Sequence, residues 1–82
     1  MKKNQILLPF KTRDLSEAST LVTLGQNLIR LEHDGQRFWF IFENVAVCEG
    51  FSRQFWAGEL LVNPREFALN FRAIKDRLHA QH

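Results

Sequence analysis

The sequence predicts a small α+β domain in which about three helices lie over one face of an antiparallel sheet, in the order β-α-β-β-α-α. Three observations predict it. Two apolar, aromatic-rich runs within residues 28–42 flank Asp34 and Gly35, a pair that signals a tight hairpin. Stretches with apolar residues at helical spacing follow Asp14, Asn44 and Asn63, each a residue type that caps a helix. Glycine and proline occur singly, at places where elements should end.

Residues 5–10 are apolar enough for a short strand, which Pro9 confines to a sheet edge or ends early. Asp14, Leu15, Ser16 and Glu17 form a D-x-x-E start, in which Asp14 accepts from an amide of the first turn and Glu17 reaches back. The helix over 15–24 then turns Leu15, Ala18, Leu21 and Val22 inward, and Gly25 suits the left-handed position that ends it.

With Asp34 and Gly35 as a two-residue type I′ loop, Glu32 faces Arg37, Leu31 faces Phe38, Arg30 faces Trp39, Ile29 faces Phe40 and Leu28 faces Ile41. Alternation puts Leu31, Phe38, Ile29, Phe40 and Phe42 on the core side. The outer side carries the Glu32 and Arg37 charges, Arg30 set over the Trp39 ring as a cation–π pair, and the apolar pair Leu28 and Ile41.

Asn44 caps a second helix running to about residue 57, with Cys48, Phe51 and Phe55 on one face and Gly58 as its stop. Residues 60–62 form a short apolar connection that reads as a brief strand. Asn63, Pro64 and Glu66 then make a strong helix start, with Pro at the first position where its missing N–H costs nothing. The third helix, over 64–78, turns Phe67, Phe71, Ile74 and Leu78 inward at steps of four, three and four.

Composition sets the class. The 82 residues read as one domain, residues 1–82, and a 45% hydrophobic fraction with eight Phe and two Trp argues for a packed core. No apolar run approaches the roughly 18 residues of a membrane span. Residues 1–5 are too polar to open a signal peptide, so a cytoplasmic protein is expected. The single cysteine, Cys48, reads as a buried small hydrophobe. The net charge of +2 is unevenly spread, with basic ends around an acidic middle.

No catalytic constellation is visible, and no enzyme is expected. His33 sits beside the hairpin turn, His79 and His82 at the C-terminal end, and Ser16, Ser19 and Ser52 in helices without a glycine-framed elbow. His79 and His82 are too few for a closed metal site, and the four glycines stand apart rather than in a phosphate loop. No metal, cofactor, small-molecule substrate or membrane partner is expected.

Four segments together carry a resemblance: Phe10-Lys11-Thr12-Arg13-Asp14, Phe38-Trp39-Phe40-Ile41-Phe42-Glu43, Phe55-Trp56-Ala57-Gly58-Glu59 and Val62-Asn63-Pro64-Arg65-Glu66-Phe67. In these the chain resembles a family of short bacterial and phage proteins known only as a domain of unknown function. The resemblance implies a complete domain in a bacterial, phage or mobile-element setting, and brings no activity or site residue with it.

Two binding functions are left. The first is a non-catalytic accessory protein that self-associates or binds a protein partner through an aromatic sheet face, using Leu28, Arg30, Arg37, Trp39, Ile41 and Trp56. The homodimer has a physical motive, because a second half-apolar sheet face needs cover. The alternative is nucleic-acid binding by Arg65, Arg72, Lys75 and His79 on the last helix, with Lys2, Lys3 and Lys11 adding to the same field.

Overall fold

The computed structural model describes residues 8–81. Its elements are β1 (Phe10–Thr12), α1 (Leu15–Thr23), β2 (Leu28–His33), β3 (Phe38–Phe42), α2 (Val45–Trp56) and α3 (Pro64–His79). The strands form one antiparallel sheet in the order β1-β3-β2. This is the expected α+β order, with the aromatic strand β3 in the middle.

The first strand starts after Pro9 instead of before it. Proline has no N–H to give a ladder, so pairing begins at Phe10, opposite Phe42, on a sheet edge. The remainder of the predicted strand, 5–7, lies outside the described residues. Residues 60–62 make no strand and leave Leu61 93% exposed.

Caps terminate the helices as their residue types require. Asp14 accepts from the Glu17 N–H at 2.7 Å, Asn44 from Ala46 and Val47, and Asn63 from Glu66 at 3.0 Å. After α1, Gly25 adopts φ +91°, its N–H reaching the Val22 carbonyl while the Gln26 N–H reaches that of Leu21. After α2, Gly58 (φ +74°) and Glu59 repeat the pattern on Phe55 and Gln54, so both helices end in a Schellman motif.

The capping box at α1 closes through an intermediary. Glu17 does not reach back to Asp14. Instead its Oε1 accepts from the Thr12 hydroxyl at 2.7 Å, and the Thr12 Oγ1 accepts the Asp14 N–H at 3.1 Å. Thr12 and Glu17 are both buried, so the end of β1 is tied to α1 in the interior.

The hairpin turns one residue later than the sequence predicts. His33 faces Phe38, Glu32 faces Trp39, Leu31 faces Phe40 and Arg30 faces Ile41. The central turn residues are Gly35 and Gln36, with the Asp34 N–H donating to the Arg37 carbonyl at 3.1 Å. Gly35 alone has positive φ (+97°), the pattern of a type II′ turn. A type I′ turn on Asp34 and Gly35 would force positive φ on Asp34, and it would forgo the two N–H groups, of Gln36 and Arg37, that its carboxylate now accepts at 2.9 Å each.

The pairing thus shifts by two residues, which keeps each side chain on its expected face until a β-bulge at Ile29. The bulge exchanges two neighbours. Leu28 joins Phe42 against the core, and Ile29 is 41% exposed.

One hydrophobic core lies between the sheet and the three helices. Ala18 and Leu21 of α1, Phe40 and Phe42 of β3, Cys48 of α2 and Ile74 of α3 are buried in it. Each of the two Phe rings, removed almost wholly from water, contributes about 1.5–3 kcal/mol. Ile74 and Leu78 bring α3 to this core. Phe67 and Phe71 do not complete the buried stripe; they stay half-buried against each other, ring centres 5.8 Å apart. The Asn70 amide donates to the Thr23 hydroxyl at 3.0 Å and pins α3 to α1.

Thr12→Val keeps the strand propensity while removing the hydroxyl from both Glu17 and the Asp14 amide. A buried acceptor left unpartnered costs about 1–3 kcal/mol, so urea unfolding should show a loss of that size with an unchanged denaturant slope.

Candidate functional site

Every described helix contributes to the core on the inner face of the sheet, so the outer face and its hairpin end are the surfaces on which side chains with unusual chemistry accumulate. The outward residues are Lys11 and Arg13 at β1, Trp39 and Ile41 of β3, and Arg30 and Glu32 of β2.

Trp39 is the centre of this surface. Its indole Nε1–H donates to Asp34 Oδ2 at 2.8 Å, and the cations over its ring are Lys11 at 5.7 Å and Arg13 at 5.2 Å from the centroid. Arg30, expected over that ring, instead pairs with Glu32, Nε to Oε2 2.8 Å. The register accounts for the change: Arg30 now lies across from Ile41, and Glu32 across from Trp39.

Asp34 joins the turn to the indole. Its carboxyl is held below the ordinary value of 3.8, first by the Trp39 hydrogen bond and then by the Gln36 N–H. The same carboxylate accepts the Arg37 N–H, so the position of Arg37 depends on it as well.

At the hairpin end Arg13 and Arg37 meet. With Thr12, Asp14 and Trp56 they line an open hollow of about 370 Å³. Among the described residues, Arg30 with Glu32 is the one ion pair, so neither arginine is in an ion pair, although the Asp14 carboxylate shares the lining. Trp56 ends α2 at 64% exposure, edge-on to Phe55 with ring centres 4.9 Å apart.

The sequence-derived interface residues thus divide. Arg37, Trp39 and Trp56 belong to this surface, and Arg30 stands beside it in its own ion pair. Leu28 does not face outward, because the bulge turns it to the core. Ile41 faces outward but is fully buried, with Lys11 and Arg30 as its register partners on either side. The apolar outer patch expected from Leu28 and Ile41 is therefore missing. Arg13, which the sequence reading passed over, is the residue that links the two tryptophans; the signal for it was its place two residues beyond Lys11 on the same strand face.

The nucleic-acid set divides too. Arg65, Arg72, Lys75 and His79 are exposed along α3. Arg72 and Lys75 flank Phe67, Ala68 and Phe71 around a hollow of about 390 Å³, so the basic residues border the aromatic stripe. Lys11 lies on the other side of the sheet from α3 and does not add to that surface. Lys2 and Lys3 lie outside the described residues, as does His82.

The groups weighed for catalysis are apart. Cys48 is fully buried, and burial pushes its thiol up, with the nearby Glu17 carboxylate adding to the effect. Ser19 donates to the Leu15 carbonyl, and His33 accepts the Gly35 N–H while its ring rests on Phe38. Among the described residues no three His, Cys, Asp or Glu side chains are grouped to hold a metal, and no helix is long and apolar enough to cross a membrane.

Compared with known protein families, curated proteins and solved structures, the chain matches none.

Two measurements check this geometry. Because the folded pKa of Asp34 lies below the unfolded one, its contribution to stability is complete at neutral pH and is lost as pH falls from 3.8 through the folded value. The Trp39 indole N–H resonance should move in that acid window, and Asp34→Asn should abolish the transition. Cys48 should resist iodoacetamide at mildly alkaline pH in the native protein and react once urea unfolds it.

Proposed function

We propose that this protein is a non-catalytic binding domain that holds an anionic macromolecule on the surface running from Lys11 across Trp39 to Arg13, Arg37 and Trp56. The observation that carries this reading is the pair Arg13 and Arg37: two exposed guanidinium groups line one hollow with no carboxylate partner. Protein surfaces ordinarily intersperse charges of both signs. Here Asp14 supplies the one acid of the lining, and the neighbouring carboxylates accept hydrogen bonds from other groups. Asp14 accepts the Glu17 N–H, Asp34 accepts two backbone N–H groups and the Trp39 indole, and Glu32 takes Arg30. Lys11 extends the positive band along the sheet.

A second reading, a protein interface, is favoured by the exposure of Trp56 and of Leu61, since indole and arginine groups are the usual anchors of such interfaces. Its mark is a solution mass that rises with concentration and returns to the monomer value in Trp56→Ser.

Retention on immobilised heparin tests the first reading. Arg13→Ala with Arg37→Ala should elute at clearly lower salt than the parent protein, and at lower salt than Arg72→Ala with Lys75→Ala. The reverse order would transfer the binding surface to α3; absence of retention at low salt would end the proposal.

A further inference from the structure

Resting on that reading, we infer that the hollow at the hairpin end is a clamp for single-stranded nucleic acid, with Arg13 and Arg37 on a phosphate and Trp56 stacked on an adjoining base. A guanidinium is a planar fork that matches phosphate oxygens, and two of them line this hollow outside any ion pair, against the single carboxylate of Asp14. Trp56 lines it too. Phe55 meets Trp56 at 89°, and the indole remains 64% exposed. Cations that follow a backbone, beside an aromatic ring that takes a base, make up the working parts of single-strand binding sites.

Arg13 is also held in advance by its guanidinium, and Arg37 by its backbone. Arg13 stands over the Trp39 ring, that ring is tied to Asp34, and Asp34 holds the backbone N–H of Arg37. Less ordering is therefore left for the moment of binding. Asp14 shares the lining, with Oδ1 turned to the start of α1.

A single strand fits better than the alternatives. A duplex keeps its bases stacked inside and offers none to Trp56. An acidic protein segment would satisfy the arginines, yet a chain of carboxylates offers no base to stack on the exposed Trp56 ring.

The test is fluorescence anisotropy of labelled oligo(dT) and oligo(U) strands, about 10 nucleotides long to match one small binding domain, with a duplex of that length and an oligoglutamate peptide as competitors. Binding of either strand supports the clamp, and their ratio identifies the preferred sugar. Trp56→Ala should weaken it about tenfold and Trp56→Phe much less. Arg13→Ala and Arg37→Ala should each lower the slope of log affinity against log salt by about 1. All three positions changed carry exposed side chains, and matching thermal transitions show that the variants fold. The clamp is overturned if Trp56→Ala binds the strands as the parent does, if duplex competes better than single strand, or if oligoglutamate binds and the strands do not. That last result leaves the anion-binding surface standing; loss of heparin retention as well removes both.

Discussion

The carboxylate of Asp34 decides where the hairpin turns, and most of the surface follows from it. Asp34 stands at the position before the two central turn residues, where a short acceptor side chain collects the N–H groups two and three residues on. Gly35 then takes the positive φ at no steric cost. The second carboxylate oxygen receives the Trp39 indole from the other strand, so one side chain links the turn, its backbone and the central aromatic residue. Because the register is counted from the turn, moving its centre by one residue moves the pairings of Arg30, Leu31 and Glu32 by two, as far as the bulge at Ile29.

That shift governs the chemistry of the outer face. A displacement of two keeps inward residues inward, which is why the core survives the change. It does alter neighbours. Arg30 leaves Trp39 and finds Glu32 on its own strand face, and the indole is left to the cations of β1. The bulge at Ile29 then removes Leu28 from the outer side. Bulges at a sheet edge also discourage pairing with another chain, and β2 is such an edge. An outer face that the sequence describes as half apolar becomes one centred on the Trp39 indole and its cations.

The elements were legible because each has a local cause. Asp14, Asn44 and Asn63 cap, Pro64 opens α3, and Gly25 and Gly58 end α1 and α2, all from interactions within a few residues of chain. The core residues of β3 and α1 were legible from period alone. The site was less so. Type I′ and type II′ turns share the Asp-Gly signal, and what separates them here is whether Asp34 is a central turn residue or the acceptor that precedes them, its Oδ2 also taking the Trp39 indole from the facing strand. The bulge has no local marker, since Leu28 and Ile29 are interchangeable in pattern. Arg13 gains its meaning from Trp56, which lies on another helix and comes near only when α2 folds back beside β1.

Two basic surfaces compete on this protein, and their support differs in kind. Arg65, Arg72 and Lys75 project from an exposed helix face, where long side chains sample many rotamers and lose that freedom on binding. Arg13 follows a strand whose end is anchored inside the protein by Thr12 and Glu17, and it rests on a ring fixed by Asp34. Arg37 takes its backbone position from the same carboxylate. At equal charge, the surface whose groups are already placed gives up less conformational entropy and discriminates more by geometry. The buried Thr12 to Glu17 bond thus supports the proposed surface from beneath: it sets the end of β1 from which Arg13 projects.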